Sequence, residues 1–498
     1  MGGVISVALL AACRTLYVQR QRQALDEWYT GRLESFGFGG AAGRPSFLDV
    51  EPVVPPAEAR AFRADVRHMV ELGTFRQFIA KQKYPRDERW VFAPDERSGE
   101  CPRMTFRTLG WRAGGDSRPA CIFNAKPWQS LWMLLQGGVA HRKEGLRELG
   151  TRSSFFRADF AENGVVLPAF AADERAARLI RSLNGNEALN AAAKRLYNGT
   201  APIVRPYALY GNLLLPGQEL PLHTDVPAFR GLSRGSVPSW LLTVMHNSRL
   251  FDRWRLRTAT AVLMFPSRAM ELAEQRGNGT AAGAFTFHPQ SLLPAGRRVA
   301  PTRLNSAVMT DSDTVFHGTY APQHDVPPPT YIAGPAGGSD GKSQGFNPKE
   351  PGSTASSVRY DGETRSFANF APDGARLSPP AGEPGWEEMR LSVSWKAFVF
   401  EDAAAAALHD EGRDDLTPER VFDMFERHLR EAKGATPQRS DHFAFASQIL
   451  RHYEMPYYLA SNSWNPCALI DVAEDAVKSS WVRAAIAASL SWTCSNPR

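Results

Sequence analysis

A histidine and an aspartate stand two residues apart in LPLHTDVPAFRG, residues 220–231, directly after the β-type run RPYALYGNLLLPGQE. Side chains at positions i and i+2 of a strand point to the same face. At the end of a strand, His223 and Asp225 can therefore converge on one metal ion. This spacing predicts two of the ligands of a metal site.

The chain also contains two His-x-Glu pairs, His409 with Glu411 and His452 with Glu454. Both histidines stand in helix-like segments, where positions i and i+2 diverge by about 200° around the axis. They are therefore interpreted as surface or core histidines.

A third ligand is needed to hold a metal ion firmly. In TDSDTVFHGT, His317 ends another β-type run and is followed by Gly318, which would let backbone or ligand approach closely. Two imidazoles and one carboxylate suit non-haem Fe(II), with coordination positions left open for substrate and dioxygen. His246 in TVMHNS and His288 in FHPQ are rivals for the third position, and His317 is favoured over both.

Short β-type runs dominate the sequence from residue 203 onward, without long helices between them. They are bounded by Gly, Pro, Asn and Asp, which predicts an antiparallel sandwich or barrel. The runs are IVRPYALYGNLLL, SWLLTVMH, TATAVLMFP, GAFTFHP, LNSAVMT, DTVFHG and, after a gap, MRLSVSWKAFVF.

Helical patterns flank this β-rich block. Apolar residues at helical spacing predict a helix over 57–82 and helices over 172–197 on either side of Gly185. Between them lies an irregular, tryptophan-rich region that ends in the helix-like WQSLWMLLQGGVAHRKEGLREL. Beyond the β-rich block, Thr417 followed by Pro418 predicts the start of another helix.

These patterns divide the chain into four regions. They are an N-terminal tail (1–45), a mainly helical region (46–200), a β core (201–400) with an insertion rich in Pro, Gly and Ser (321–385), and a helical C-terminal region (401–498). The composition of the insertion predicts that it buries little surface and is partly flexible.

Composition excludes several classes of protein. The chain has 498 residues, 43% of them hydrophobic, which is enough for a large core and excludes a disordered or fibrous protein. The 58 basic and 52 acidic side chains are interspersed, so the net charge of +6 gives no strong nucleic-acid signal. The five cysteines form no C-x-x-C pair and indicate neither a zinc module nor a disulfide framework.

The N-terminus predicts no membrane span, because the apolar run from Val4 to Cys13 is too short to cross a bilayer. MGGVIS fits an acylation pattern at Gly2, so a lipid anchor is one interpretation and an unmodified start the other. Cysteine usage does not fix the compartment, and an intracellular location is favoured.

Four motifs together resemble the Fe(II)/2-oxoglutarate-dependent dioxygenase superfamily: HTD after a strand, ATAVLMF, DTVFHG, and a strand carrying R-x-S. The resemblance covers residues 205–400. It implies an α+β fold with a double-stranded β-helix, or jelly-roll, core between helical regions. It also implies that Fe(2+) is held by His223, Asp225 and His317, and that Arg390 with Ser392 binds the distal carboxylate of 2-oxoglutarate.

One departure from the family pattern concerns the cation for 2-oxoglutarate. In the family a basic residue follows the distal histidine closely, whereas here the insertion separates His317 from Arg390. Arg359 in SSVRYDG and Lys396 in SWKAF are the alternatives, and Arg390 is favoured because it opens a long β-patterned run. On the strand before the HTD motif, the side chains expected to contact the cofactor are among Tyr207, Tyr210 and Asn212.

The sequence therefore predicts an oxidoreductase that uses 2-oxoglutarate and O2 to hydroxylate an unidentified substrate, releasing succinate and CO2. One alternative is a metal-free β-helix that acts as a binding or scaffold protein. Another takes Asp311-Ser312-Asp313 as the DxD metal site of a glycosyltransferase, although the β-rich block lacks the interleaved helices of a nucleotide-binding domain. In the alternative interpretation, Asp311 and Asp313 are turn residues that shape the approach to His317.

Overall fold

The structure is a computed structural model in which helices combine with antiparallel sheets. It describes residues 23, 26–38, 43–78, 105–113, 116–123, 155–198, 202–214, 220–233, 236–237, 239–265, 284–300, 303, 305–319, 357–370, 376–377, 385 and 389–453.

The helices in this part of the chain are α1 (26–35), α2 (Ala59–Leu72), α3 (Pro168–Ala171), α4 (Glu174–Asn184), α5 (Glu187–Tyr197), α6 (Ser239–Ser248), α7 (Ala403–Asp410), α8 (Pro418–Lys433) and α9 (His442–Tyr453). The first strands are β1 (Phe47–Val50), β2 (Thr74–Phe78), β3 (Thr105–Ala113), β4 (Asp116–Phe123), β5 (Phe155–Glu162), β6 (Val165–Val166), β7 (Ile203–Leu214), β8 (Leu220–His223), β9 (Ala228–Phe229) and β10 (Arg255–Leu256). The later strands are β11 (Thr258–Phe265), β12 (Phe285–Phe287), β13 (Arg298–Val299), β14 (Ala307–Asp311), β15 (His317–Thr319), β16 (Ser357–Asp361), β17 (Ser366–Phe370), β18 (Arg376–Leu377) and β19 (Arg390–Phe400).

Two antiparallel sheets form the centre of the fold. The larger has the order β1-β14-β11-β19-β7-β5-β2-β16-β17-β18, with β6 beside β5, and the smaller has the order β13-β12-β15-β8. From β7 onward the chain passes repeatedly between them, with β7, β11, β14 and β19 in the larger sheet and β8, β12, β13 and β15 in the smaller. Strands β9 and β10 form a separate two-stranded sheet, and β3 and β4 form another.

Strand β19 gives the larger sheet two different faces. Its odd-numbered positions are apolar and pack into a core with α2, α4 and α5: Leu391, Val393, Trp395 and Ala397. Up to the irregularity after Lys396, its even-numbered positions are polar yet buried: Arg390, Ser392, Ser394 and Lys396. On this second face, residues of β11 and β14 pack with residues of the smaller sheet and of α1. A row of buried polar side chains therefore lies on the face that packs toward the smaller sheet.

The predicted strand SWLLTVMH is wrong, since these residues belong to helix α6. Its apolar side chains are buried in a separate core with α8 and α9. A short run that is apolar on every side fits a buried helix as well as a strand, so periodicity does not distinguish the two.

The predicted helix over 57–82 is too long. Helix α2 ends at Leu72, and after Gly73 the alternating run Thr74–Phe78 forms β2. The region expected to be irregular contains the hairpin β3–β4, whereas WQSLWMLLQGGVAHRKEGLREL lies outside the described residues.

The prediction for the insertion at 321–385 is wrong in part. Strands β16, β17 and β18 extend the larger sheet, and Val358 and Phe367 are buried in its core. The described part of the predicted tail is also packed, because Tyr29 and Leu33 of α1 belong to the core that contains β12.

The predicted C-terminal helix is confirmed. The Thr417 hydroxyl accepts a hydrogen bond from the backbone N–H of Arg420, Pro418 occupies the first turn, and Gly434 ends the helix in a left-handed conformation. None of the helices described here has the length and apolarity needed to cross a bilayer.

Candidate metal centre

Strand pairing brings two of the predicted ligands together. His223 ends β8 and His317 begins β15, and the two residues are directly opposite each other in this antiparallel pair. Their ring centroids are 4.4 Å apart. The sheet hydrogen bonds thus hold two imidazoles side by side.

Asp225 completes the cluster just beyond the end of β8. Its Oδ1 lies 4.0 Å from His223 Nε2 and its Oδ2 lies 4.0 Å from His317 Nε2. One ligand atom from each residue lies within 4.8 Å of the others, and no other group of three such residues was found in the described part of the chain. Adjacent donors at about 2.1 Å from one octahedral ion would lie about 3 Å apart, so the three side chains would have to move inward by about 1 Å to hold an ion.

The orientation of His317 suits metal binding. Its Nδ1 donates to the carbonyl of Val315 at 2.9 Å, which leaves the Nε2 lone pair for the metal. Burial lowers the pKa of the His317 imidazole, so the ring is neutral near pH 7 and can act as a ligand.

The two rival histidines lie outside this cluster. His246 is on α6, with Nε2 3.2 Å from the Thr314 hydroxyl and its ring stacked on Phe36. His288 follows β12, and its Nδ1 donates to the carbonyl of Ser291 at 2.9 Å. Burial lowers the pKa of both imidazoles, that of His288 to about 4. Both are therefore neutral core histidines.

Lys396 lies beside the cluster. Its Nζ donates to Oδ2 of Asp225 from the polar face of β19. Burial acts to raise the pKa of Asp225, but the Lys396 ammonium holds it well below the usual range for a carboxyl group. Lys396 is therefore already paired with a carboxylate of the protein. A cation that binds the distal carboxylate of 2-oxoglutarate would have no such partner in the ligand-free protein.

Arg390 is a buried cation of a different kind. Its side chain lies in the first position of β19 and the residue is 1% exposed. Its one hydrogen bond in the described structure is a weak contact of Nη2 with Met264 Sδ at 3.5 Å, and Nε has no partner. Burial lowers the pKa of the guanidinium to about 9, and no carboxylate of the described residues opposes the shift. A buried guanidinium without an anion is costly unless a ligand supplies one.

The other predicted cofactor contacts share the face of β19 that carries Arg390. Ser392 pairs with Asn212 of β7, and Ser394 pairs with Tyr210, so all four side chains point to this side. Asn212 Nδ2 donates weakly to the Ser394 hydroxyl at 3.4 Å, while its Oδ1 has no partner among the described atoms. The structure thus places Tyr210, Asn212 and Ser392 on one polar surface with Arg390. Tyr207 instead stacks on Phe398, with ring centroids 4.1 Å apart.

Two alternatives from the sequence are not favoured by their surroundings. Arg359 is exposed on β16 and lies over the ring of Phe370. Asp311 and Asp313 are buried, and both pair with Arg255 instead of presenting an open acidic site. The Asp311 carbonyl accepts N–H groups of the residues that follow, as expected of a turn.

Arg157 on β5 was not identified from the sequence. Its guanidinium lies 3.6 Å from the ring centroid of Tyr210 and pairs with Asp159. The register of β5 against β7 brings it to the polar surface. Since no motif marks this register in the sequence, no local signal could have identified Arg157.

Gly318 allows the close approach of the two ligand strands. A Cβ at this position would lie 2.8 Å from the carbonyl oxygen of Leu220 in β8. We expect Gly318→Ala to push β15 away from β8, lowering stability by about 1–3 kcal/mol and weakening metal binding. Thermal unfolding and Co(II) titration measure the two effects. Gly362→Ala is the matched control, since a Cβ there meets nothing within 4 Å, and equal behaviour of the two variants would contradict this expectation.

No protein-family model and no curated protein sequence matches the chain. Solved structures that are similar to it include the non-heme alpha ketoglutarate dependent epimerase SnoN from nogalamycin biosynthesis, with 12% identity over 80% of this chain and 97% of that chain and a TM-score of 0.26. HygX from Streptomyces hygroscopicus, with nickel, 2-oxoglutarate and hygromycin B bound, is 9% identical over 71% and 83% of the two chains, with a TM-score of 0.25. An oxidoreductase of the 2OG-Fe(II) oxygenase family from Burkholderia pseudomallei is 10% identical over 59% of this chain and 96% of that chain, with a TM-score of 0.23. These structures belong to the superfamily that the sequence motifs resemble.

Proposed function

We propose that the chain is a non-haem Fe(II) and 2-oxoglutarate-dependent dioxygenase that hydroxylates a substrate and releases succinate and CO2. The observation that carries the proposal is the convergence of His223, Asp225 and His317 beside a polar surface that contains Arg390, a buried cation without a carboxylate partner among the described residues. Two imidazoles and one carboxylate fill three of the six coordination positions of an octahedral ion and leave the other three for other ligands.

We infer that the core is a double-stranded β-helix. The eight strands β7, β8, β11, β12, β13, β14, β15 and β19 divide equally between two antiparallel sheets, and this division supports a jelly roll. In this arrangement residues 201–400 form the catalytic core, and the flanking regions 46–200 and 401–498 brace it.

The chain's own residues have distinct roles in this proposal. His223, Asp225 and His317 hold the ion, and the carbonyl of Val315 keeps the His317 ring in the required orientation. Arg390 binds the distal carboxylate of 2-oxoglutarate, and Ser392, Asn212 and Tyr210 line the same surface. Bound ferrous iron would activate O2, the oxidant, for reaction with a substrate C–H bond, and 2-oxoglutarate would be oxidised to succinate and CO2 in the same reaction. The protein supplies binding, orientation and the exclusion of water.

A metal-free scaffold explains this arrangement less well. A protein that needs only the shape of the core gains nothing from a buried arginine without a carboxylate partner in the described structure, because an apolar side chain there would be more stable. A binding site for a small dianion does explain the buried arginine.

Addition of Fe(II) and 2-oxoglutarate without oxygen tests the proposal. We expect the full-length protein to develop a visible metal-to-ligand charge-transfer band, and His223→Ala to lack it. His409→Ala is the matched control, since this histidine lies on α7 against Phe398 and Phe400 and should leave the band unchanged. A wild-type protein that binds no iron and gives no band would contradict the proposal.

A further inference from the structure

The loop between β14 and β15, residues 311–316, contacts two of the three candidate ligands. The carbonyl of Ser312 accepts the backbone N–H of Asp225 at 2.8 Å, and the carbonyl of Val315 accepts Nδ1–H of His317 at 2.9 Å. Within the loop, the Asp311 carbonyl accepts the N–H groups of Thr314 and Val315, at 3.0 and 2.8 Å. A displacement of the loop at 311–316 would therefore move the candidate carboxylate ligand Asp225 and the candidate imidazole ligand His317 together.

Two side chains of helix α1 hold this loop. The hydroxyl of Tyr29 accepts the backbone N–H of Phe316 at 3.1 Å and donates to the carbonyl of His288. Arg32 Nη2 donates to the carbonyl of Asp313 at 3.0 Å. Tyr29 is completely buried and Arg32 nearly so, so water does not replace these hydrogen bonds when they are lost.

A buried ion cluster holds the start of the same loop. Asp311 pairs with Arg255 at 2.7 Å and with Arg44 at 3.4 Å. Asp313 lies 3.7 Å from Arg255. Such buried clusters contribute little net stability, but they have few alternative arrangements, and they are most useful where one geometry must be kept.

We propose that Tyr29, Arg32, Arg44 and Arg255 act through the loop at 311–316 to position Asp225 and His317 for a divalent metal. This inference rests on the proposed function, because it takes Asp225 and His317 as ligands. All four are positioning residues, since each makes a hydrogen bond or ion pair to the loop, and among the described contacts none is to a ligand side chain. In this arrangement helix α1 supports the metal centre from outside, although it lies far from the ligands in sequence.

Partners that are hydrogen-bonded directly to metal ligands usually change metal affinity by about 10- to 100-fold, and Tyr29 acts one contact further out. We therefore expect Tyr29→Phe to raise the dissociation constant for Co(II) by about 10-fold, the lower end of this range. The variant removes one oxygen atom and keeps the aromatic ring, which packs edge-on against Phe316. Co(II) is measured by its visible absorption in full-length protein, without any need for turnover.

Tyr453→Phe is the matched control. Tyr453 is also buried, and its hydroxyl bonds to His428 Nδ1 in the C-terminal helices, away from the loop. Both variants should lower the thermal unfolding temperature of the metal-free protein, but Tyr453→Phe should keep the wild-type Co(II) affinity. If Tyr29→Phe does not fold, Arg32→Met, which removes the hydrogen bond to Asp313 and keeps an apolar stem, provides the same measurement.

The outcomes separate this inference from the proposed function. Wild-type affinity in Tyr29→Phe, or in Arg32→Met where that variant replaces it, would overturn the positioning role while leaving the metal site intact. A wild-type protein that binds no Co(II) would overturn the metal site and the positioning role together. Equal losses of affinity in Tyr29→Phe and Tyr453→Phe would assign the effect to general stability and would also overturn the inference.

Discussion

Replacing Arg390 by methionine should weaken 2-oxoglutarate binding by roughly 10- to 150-fold, since a charged hydrogen bond is worth about 1.5–3 kcal/mol. The buried guanidinium is the cation on this polar surface that lacks a carboxylate partner among the described residues. Calorimetric titration of 2-oxoglutarate into the Ni(II)-loaded protein measures the change without turnover.

The same substitution should make the ligand-free protein more stable. Methionine is apolar, of similar length, and would lie against Met264. Removing a buried charge that has no carboxylate partner among the described residues should raise the free energy of unfolding by about 1–3 kcal/mol. Arg359→Met is the matched control, because this arginine is exposed on β16 and should change neither quantity. Loss of binding in Arg359→Met, with normal binding in Arg390→Met, would contradict the assignment.

Asp225→Ala should abolish metal binding and also destabilise the metal-free protein. The substitution leaves the Lys396 ammonium buried without its carboxylate, and breaking a buried pair in this way costs about 3 kcal/mol. Co(II) titration and chemical unfolding measure the two effects.

The double variant Asp225→Ala with Lys396→Met separates the loss of metal binding from the loss of stability. Removing both charges should restore most of the lost stability, while metal binding remains absent because the carboxylate ligand is gone. Wild-type stability in Asp225→Ala alone would show that the ion pair is not important. Metal binding by the double variant at wild-type affinity would show that Asp225 is not a ligand.

Local spacing in the sequence singled out His223 and Asp225, whereas only the pairing of β8 with β15 brings His317 beside them, and the role of the three as ligands stays a prediction. His223 ends β8 and Asp225 follows it, close to the strand end expected from the sequence, whereas His317, expected at the end of a β-type run, begins β15. Strand alternation also predicted that Arg390 and Ser392 share a face. These features depend on period and spacing, which the sequence states directly.

Features that depend on tertiary contacts could not be predicted in this way. The segment SWLLTVMH forms helix α6 because its apolar side chains are buried against α8 and α9, and its sequence fits a strand equally well. The pairing of Lys396 with Asp225 and the contact of Tyr29 with Phe316 join residues far apart in the chain. No local pattern encodes such a contact, so only the folded chain identifies these residues.

Anomalous X-ray scattering at the iron edge, from crystals grown anaerobically with Fe(II), tests the metal centre most directly. We predict a single strong peak at about 2.1 Å from Nε2 of His223, Nε2 of His317 and a carboxylate oxygen of Asp225. A peak bound by other residues, or no peak at the cluster in crystals that contain iron, would contradict the account.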